Sequence, residues 1–183
     1  MARPRQRLEE EKLGTFEIAN GVAVIIKGVQ DTTRLKAAIP RDIRYVVFND
    51  AKLVGDISWL FDHCYALRDV RGTVDMSGVT DMGRIFWQCR SLERIDCADW
   101  DVSSVVNMVG MFSGCERVEY IDCADWNTSS VVNMAGMFAG CESLEYIDVS
   151  KWDTSSVKFM NLMFYNCPAG EEALPIFQSK RHA

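Results

Sequence analysis

The sequence predicts an α/β repeat solenoid in which each coil pairs a short helix with a short strand. Three observations carry this. Phe86, Phe112, Phe138 and Phe164 stand 26 residues apart, and so do Cys89, Cys115, Cys141 and Cys167, with Phe61 and Cys64 preceding them by 25. The same register aligns Trp100, Trp126 and Trp152, then Val79, Val105, Val131 and Val157, then Met82, Met108, Met134 and Met160. Such self-similarity at a fixed period is the signature of a repeat array, in which neighbouring units bury together what one unit cannot bury alone.

Within one copy two local periods appear. Val105, Met108, Met111 and Phe112 fall at i, i+3, i+6 and i+7, the spacing of one helix face. The preceding "DVSS", "NTSS" and "DTSS" supply side chains that cap free N–H groups at a helix start, and Gly114 and Gly140 stand where the helix ends. After the cysteine, "SLEYIDV" alternates Ile147 and Val149 as a strand does. Strand starts are expected at 43, 67, 92, 118 and 144, with "LVGDISWLFDHC" as the helix of the first, degenerate coil.

The segment "MFAGCESLEYIDVSKWDTSSVKFM" at 137–160 resembles the BspA-like class of leucine-rich repeats, and the resemblance covers residues 43–167. It implies a right-handed leucine-rich-repeat coil with a parallel sheet on one side and short helices on the other. It also implies proteins that are mostly at the surface or secreted, of binding role, without enzymatic activity.

The ends must seal an exposed core. "TFEIANGVAVIIKG" alternates around Asn20-Gly21, the composition of a tight hairpin turn, so 1–42 is expected to be an extension plus an N-terminal β-hairpin cap. "EALPIF" is expected to fold over the last coil, making 168–183 a C-terminal cap and tail and 1–183 a single domain.

Net charge is −6, unevenly placed. Residues 61–167 carry eight basic and sixteen acidic side chains, the opposite of the basic stripe that phosphate backbones require, so no nucleic acid is expected. No apolar run reaches the roughly 18 residues of a membrane span, and no membrane insertion is expected. The charged start lacks a secretory signal and the seven cysteines form no C-x-x-C pair, which points to an intracellular, reducing compartment. The alternative is a cell-surface or secreted protein exported by a route not visible in the sequence.

The cysteine column raises the question of chemistry. Cys97 and Cys123 are replaced by Val149 in the next copy, so that column needs a small apolar group, and core packing outweighs metal or redox use. The methionine columns share a face with Val and Phe and read as core in the same way. No cofactor is expected. No nucleophile elbow, phosphate loop or H-E-x-x-H motif is present; an enzyme would have to use His63 beside Cys64, and would be excluded by a buried Cys64. Asp101, Asn127 and Asp153 tolerate an amide, as backbone caps do.

The candidate binding residues lie on the open face of the strands. Asp96, Asp122 and Asp148 should form a row there, flanked by Arg94, Tyr120 and Tyr146, with Glu93, Glu119 and Glu145 adjacent. Neighbouring carboxylates about 5 Å apart repel by roughly 1 kcal/mol in water, so such a row favours hydration, a cation or a positively charged partner. The function expected is a non-catalytic protein–protein interaction or scaffold module, a subunit of a larger assembly that binds a basic protein partner through this acidic, tyrosine-bearing face. The alternative is a cell-surface adhesin or host-interaction module.

Overall fold

A computed structural model describes residues 15–180. The chain forms a parallel-sheet solenoid entered through a hairpin. β1 (Thr15–Ala19) and β2 (Ala23–Val29) pair antiparallel from Thr15↔Lys27 to Ala19↔Ala23, around Asn20 and Gly21 with φ of 52° and 66°. Two successive positive φ values are what a hairpin turn matching the right-handed strand twist demands, and Asn and Gly tolerate them best. The hairpin is more than a lid. β2 pairs parallel with β3 (Tyr45–Asp56), so it is also the first strand of the stack.

Between β2 and β3 lies a helix that the sequence reading did not anticipate, α1 (Thr32–Ala38). Asp31 caps it, its carboxylate accepting from the Thr33 and Arg34 N–H groups, and Leu35 is buried. β3 pairs parallel with β4 (Asp69–Asp81), and β4 with the two-residue β5 (Arg94–Ile95). The sheet order is β1-β2-β3-β4-β5. Register shifts bend β3 against β4, and Gly72 sits at one of them with φ +99°. A Cβ there would stand 1.9 Å from the Phe48 carbonyl oxygen. Gly72→Ala is therefore expected to cost roughly 3 kcal/mol in urea unfolding. Gly55→Ala, with φ +72° and open space around it, should cost only about 1 kcal/mol of backbone strain.

The helices expected in each repeat are not there. Residues 57–63, 82–88, 108–114, 134–140 and 160–166 form tandem turns. In the third of these, the Met111, Ser113 and Cys115 N–H groups donate to the Met108, Gly110 and Phe112 carbonyls, each three residues back. The intervening Met108, Gly110, Phe112 and Gly114 N–H groups donate to Asn133, Ala135, Met137 and Ala139 of the next coil. Backbone groups thus alternate between a local turn and a ladder between coils, which satisfies them as fully as a helix would. The geometry needs a left-handed residue at every fourth position: Trp59 and His63, Arg84 and Gln88, Gly110 and Gly114, Gly136 and Gly140, Leu162 and Asn166 all have positive φ. Two internal left-handed residues are incompatible with a right-handed helix.

The strand column also differs from expectation. The frames beginning at 118 and 144 bury Val118, Ile121, Cys123, Leu144, Ile147 and Val149, but among the described residues they form no named strand. The later coils are joined instead by the turn ladder and by the parallel bridges Asp81↔Asn107, Asn107↔Asn133 and Asn133↔Phe159. Asn107 Nδ2 donates to the Asp81 carboxylate at 3.0 Å, and Asn107 and Asn133 Oδ1 accept from the Val109 and Ala135 N–H groups.

The repeat columns line one continuous core. The Phe61–Phe86–Phe112–Phe138–Phe164 rings stack with centroids 5.3–5.8 Å apart, and Trp100–Trp126–Trp152 form a second stack at 6.5 and 6.1 Å. α2 (Gly170–Lys180) closes the far end, with Phe177 edge-on to Trp152 at 6.2 Å.

Candidate functional site

Every cysteine in the chain is buried and free. Cys89, Cys115 and Cys141 lie beneath the turn column, and their thiols donate to the carbonyls of Phe61, Phe86 and Phe112 in the preceding coil at 3.1, 3.3 and 3.2 Å. This is the structural meaning of F-x-x-C. The phenylalanine stacks, its carbonyl accepts, and the cysteine of the next coil is small enough to reach it with a weak S–H donor. Burial pushes these thiols well above the ordinary range, which disfavours the nucleophilic thiolate.

The His63–Cys64 pair meets the condition set for excluding it. Cys64 is fully buried, its thiol pushed up to about 11 by desolvation. His63 turns away: its Nδ1 lies 3.0 Å from the Asp62 carboxylate, and its ring packs edge-on against Trp87 at 4.7 Å. The left-handed backbone of His63 aims the two neighbours apart.

The six candidate binding residues fall on one surface, but they do different things there. Arg94 donates to the Asp69 carboxylate at 3.0 Å, and Asp69 is buried, so this guanidinium neutralises an internal charge. Asp148 accepts from the Ser150 N–H at 2.9 Å, which holds its carboxyl below the usual carboxylate range. Asp101, Asn127 and Asp153 do the same for Ser103, Ser129 and Ser155, capping turns where the sequence suggested helices. The Asp122 carboxylate raises the Tyr120 phenol through its charge. Tyr120 and Tyr146 stay 60% and 54% exposed.

Two shallow grooves run between them. One, of about 530 Å³, is lined by Asp69, Arg71, Glu93, Arg94, Asp96, Glu119 and Tyr120. The next, of about 770 Å³, is lined by Glu119, Tyr120, Glu142, Ser143, Glu145 and Tyr146. The structure therefore brings Arg94, Asp96 and Tyr120 together, and Tyr120 with Tyr146 across three glutamates. Asp122 and Asp148 line neither groove.

A further groove of about 570 Å³ was not read from the sequence. Asp50, Lys52, Gly72, Thr73, Asp75, Asp96, Asp99 and Trp100 line it where β3 and β4 kink. Lys52 pairs with Asp75 and, by that hydrogen bond first, holds its carboxyl below the usual range. Trp126 and Trp152 donate from Nε1 to the Cys97 and Cys123 carbonyls, whereas the buried Trp100 Nε1 has no partner among the described residues. Asp75 heads the column of Asp101, Asn127 and Asp153 and caps the Ser77 N–H as they cap theirs, a match the sequence reading did not extend back to it, whereas Asp50 sits at the Phe48/Ala51 register shift, which no period marks. Among the described residues no group of three His, Cys, Asp or Glu side chains is placed to hold a metal ion, and no helix is long and apolar enough to cross a membrane.

Residues 55–177 match the model of the family described as "Mycoplasma protein of unknown function, DUF285". The chain belongs to this family. The DUF285 match begins at the end of β3 and runs into α2, so it spans the coils built on the turn ladder and leaves out the hairpin and α1. A solved leucine-rich repeat protein from T. pallidum is similar over 91% of this chain and 92% of its own, at 16% identity and a TM-score of 0.32. No curated protein matches this DUF285 chain.

Proposed function

We propose that the protein is a non-catalytic binding module, and that it engages a basic protein partner through the acidic, tyrosine-bearing face. The observation that carries this reading is the pair of exposed tyrosines, Tyr120 and Tyr146, set on either side of a groove otherwise lined by Glu119, Glu142, Ser143 and Glu145. Exposed amphipathic rings beside solvated carboxylates suit a partner's Lys or Arg side chains, which pair with the acids and stack on the rings. Buried thiols and a diverted imidazole leave the described core without an activated nucleophile, which supports a role in recognition.

The test is a double variant, Tyr120→Ala with Tyr146→Ala, set beside Glu119→Lys with Glu145→Lys. All four positions are exposed, so melting temperature should change little. Affinity for a Lys/Arg-rich peptide probe, measured by calorimetry in low and high salt, should fall at least tenfold in each. Unchanged affinity in both variants, with folding intact, sinks the proposal. Arg94 and Asp148 are poor choices for such a test, because removing them takes the nearer of two guanidinium partners from the buried Asp69 and uncaps a turn.

A further inference from the structure

The turn ladder has a direction, and one end of it is open. In each coil the N–H groups of alternate residues donate forward: Met134, Gly136, Phe138 and Gly140 reach the carbonyls of Phe159, Asn161, Met163 and Tyr165. The equivalent N–H groups of the last coil belong to Met160, Leu162, Phe164 and Asn166, and among the described residues none of them has an acceptor. α2 starts beside Phe164 and closes the core, but it leaves the rim uncovered: Phe159, Leu162 and Tyr165 are 55%, 63% and 68% exposed. Leu162 adds a second, independent sign. It holds a left-handed backbone, φ 56°, in the column of Trp59, Arg84, Gly110 and Gly136, where the two other non-glycine residues pack on each other, the Arg84 guanidinium 4.6 Å from the Trp59 ring. A branched residue pays conformational strain at such a site, and here the exposed side chain returns no packing to the fold.

We propose that the rim of the last coil, residues 159–166, is a docking edge for a protein segment that continues the ladder. That segment presents backbone carbonyls at alternate residues and apolar side chains that cover Phe159, Leu162 and Tyr165. An open ladder edge is a template for added backbone, with hydrogen bonds giving affinity and side-chain contacts giving specificity. The donor-only character of this edge selects its occupant. Two copies meeting edge to edge would set N–H against N–H. Head-to-tail stacking is also disfavoured at the other end, where the segment after α1 crosses the first coil and the Pro40 carbonyl accepts from the Cys64 thiol. There Arg41 already donates to the Leu60 carbonyl and pairs with Asp62. The occupant is therefore a segment from a different protein, and the edge is separate from the tyrosine face.

A peptide with the sequence of residues 132–142, VNMAGMFAGCE, is the natural probe, since its parent segment offers those carbonyls within the fold. By amide-resolved NMR, the Met160, Leu162 and Asn166 amides of the full chain should exchange fast, while those of Gly110, Phe112 and Gly114 are protected. Adding the peptide should shift and protect the first group. Leu162→Gly keeps the N–H row, relieves the backbone strain and should fold at least as well, yet bind the peptide at least tenfold more weakly. Slow exchange of the rim amides in the free protein overturns the proposal, as does the absence of shifts at millimolar peptide. Parent-like binding by Leu162→Gly, or peptide shifts centred on the tyrosine face, would overturn it too. Concentration-dependent self-association through the same amides would assign the edge to a second copy and overturn it as well.

Discussion

Raising the pH from 8 to about 10.5 is expected to unfold the protein cooperatively in the absence of denaturant. Cys64, Cys89, Cys97, Cys115, Cys123 and Cys141 are buried, and desolvation raises each thiol above its value in the unfolded chain. A group whose pKa is raised by folding contributes stability that is fully present below the unfolded pKa and is lost as pH rises toward the folded one. For a thiol that loss starts near pH 8.5, where the unfolded chain begins to release protons that the folded chain retains. Each thiol then removes about 1.4 kcal/mol per pH unit, so six together remove about 8 kcal/mol per unit. Domains of this kind hold only about 5–15 kcal/mol in total. Urea midpoints measured from pH 7 to 10 should therefore stay flat and then fall steeply. Cys115→Ala should make the fall visibly shallower, since one proton no longer takes part. A midpoint that does not move up to pH 10 would show that the thiols are not sealed as described.

Truncating the middle of the phenylalanine stack should have the next largest effect. Phe112 is fully buried and stacks on Phe86 at 5.7 Å and Phe138 at 5.8 Å, with both pairs within 8° of parallel. Phe112→Ala removes ring contacts on both sides and leaves a cavity that neighbouring coils, tied by the turn ladder, cannot close. The expected loss is about 4 kcal/mol, or a fall in melting temperature of roughly 10 °C. Phe164→Ala should lose less, since that ring ends the stack, is not fully buried, and has Phe177 at an angle beyond it. Equal losses at the two positions would mean that the stack does not act as a continuous column.

Much of the core was legible because a solenoid repeats its packing in register. The Val, Met, Phe, Cys and Trp columns marked at spacings of 25 and 26 residues are the residues that line the interior. The hairpin was legible too, since Asn20-Gly21 answers a local backbone demand. The helices were misread for an identifiable reason. Val105, Met108, Met111 and Phe112 are all buried, as one helix face requires, yet tandem turns bury the same positions. The distinguishing signal was the glycine pairs, Gly110 with Gly114 and Gly136 with Gly140, four apart in the middle of the segment. Reading only the second of each pair, as a helix end, lost it. α1 was also within reach: Asp31 before "TTRLKAA" is an N-cap signature that went unused.

Of the proposed binding face, the exposure of Tyr120 and Tyr146 was legible in the sequence, but the roles of the charges were not. Arg94 and Asp96 look alike as exposed ions two residues apart, and only packing shows that Arg94 answers a buried Asp69. The groove around Trp100 lay out of reach, because it depends on where β3 and β4 kink against each other.

By itself the sequence determined the repeat, the columns that fill the core, the hairpin and the acidic character of the coils. Residue type and spacing suffice where each coil buries what the last one buried. The tertiary structure alone decided the direction in which backbone groups bond. In these coils one N–H turns back three residues and the next crosses to the neighbouring coil, a choice that exists only once coils are stacked. That choice replaced the expected helices with a ladder, and it left the last rung open at Leu162.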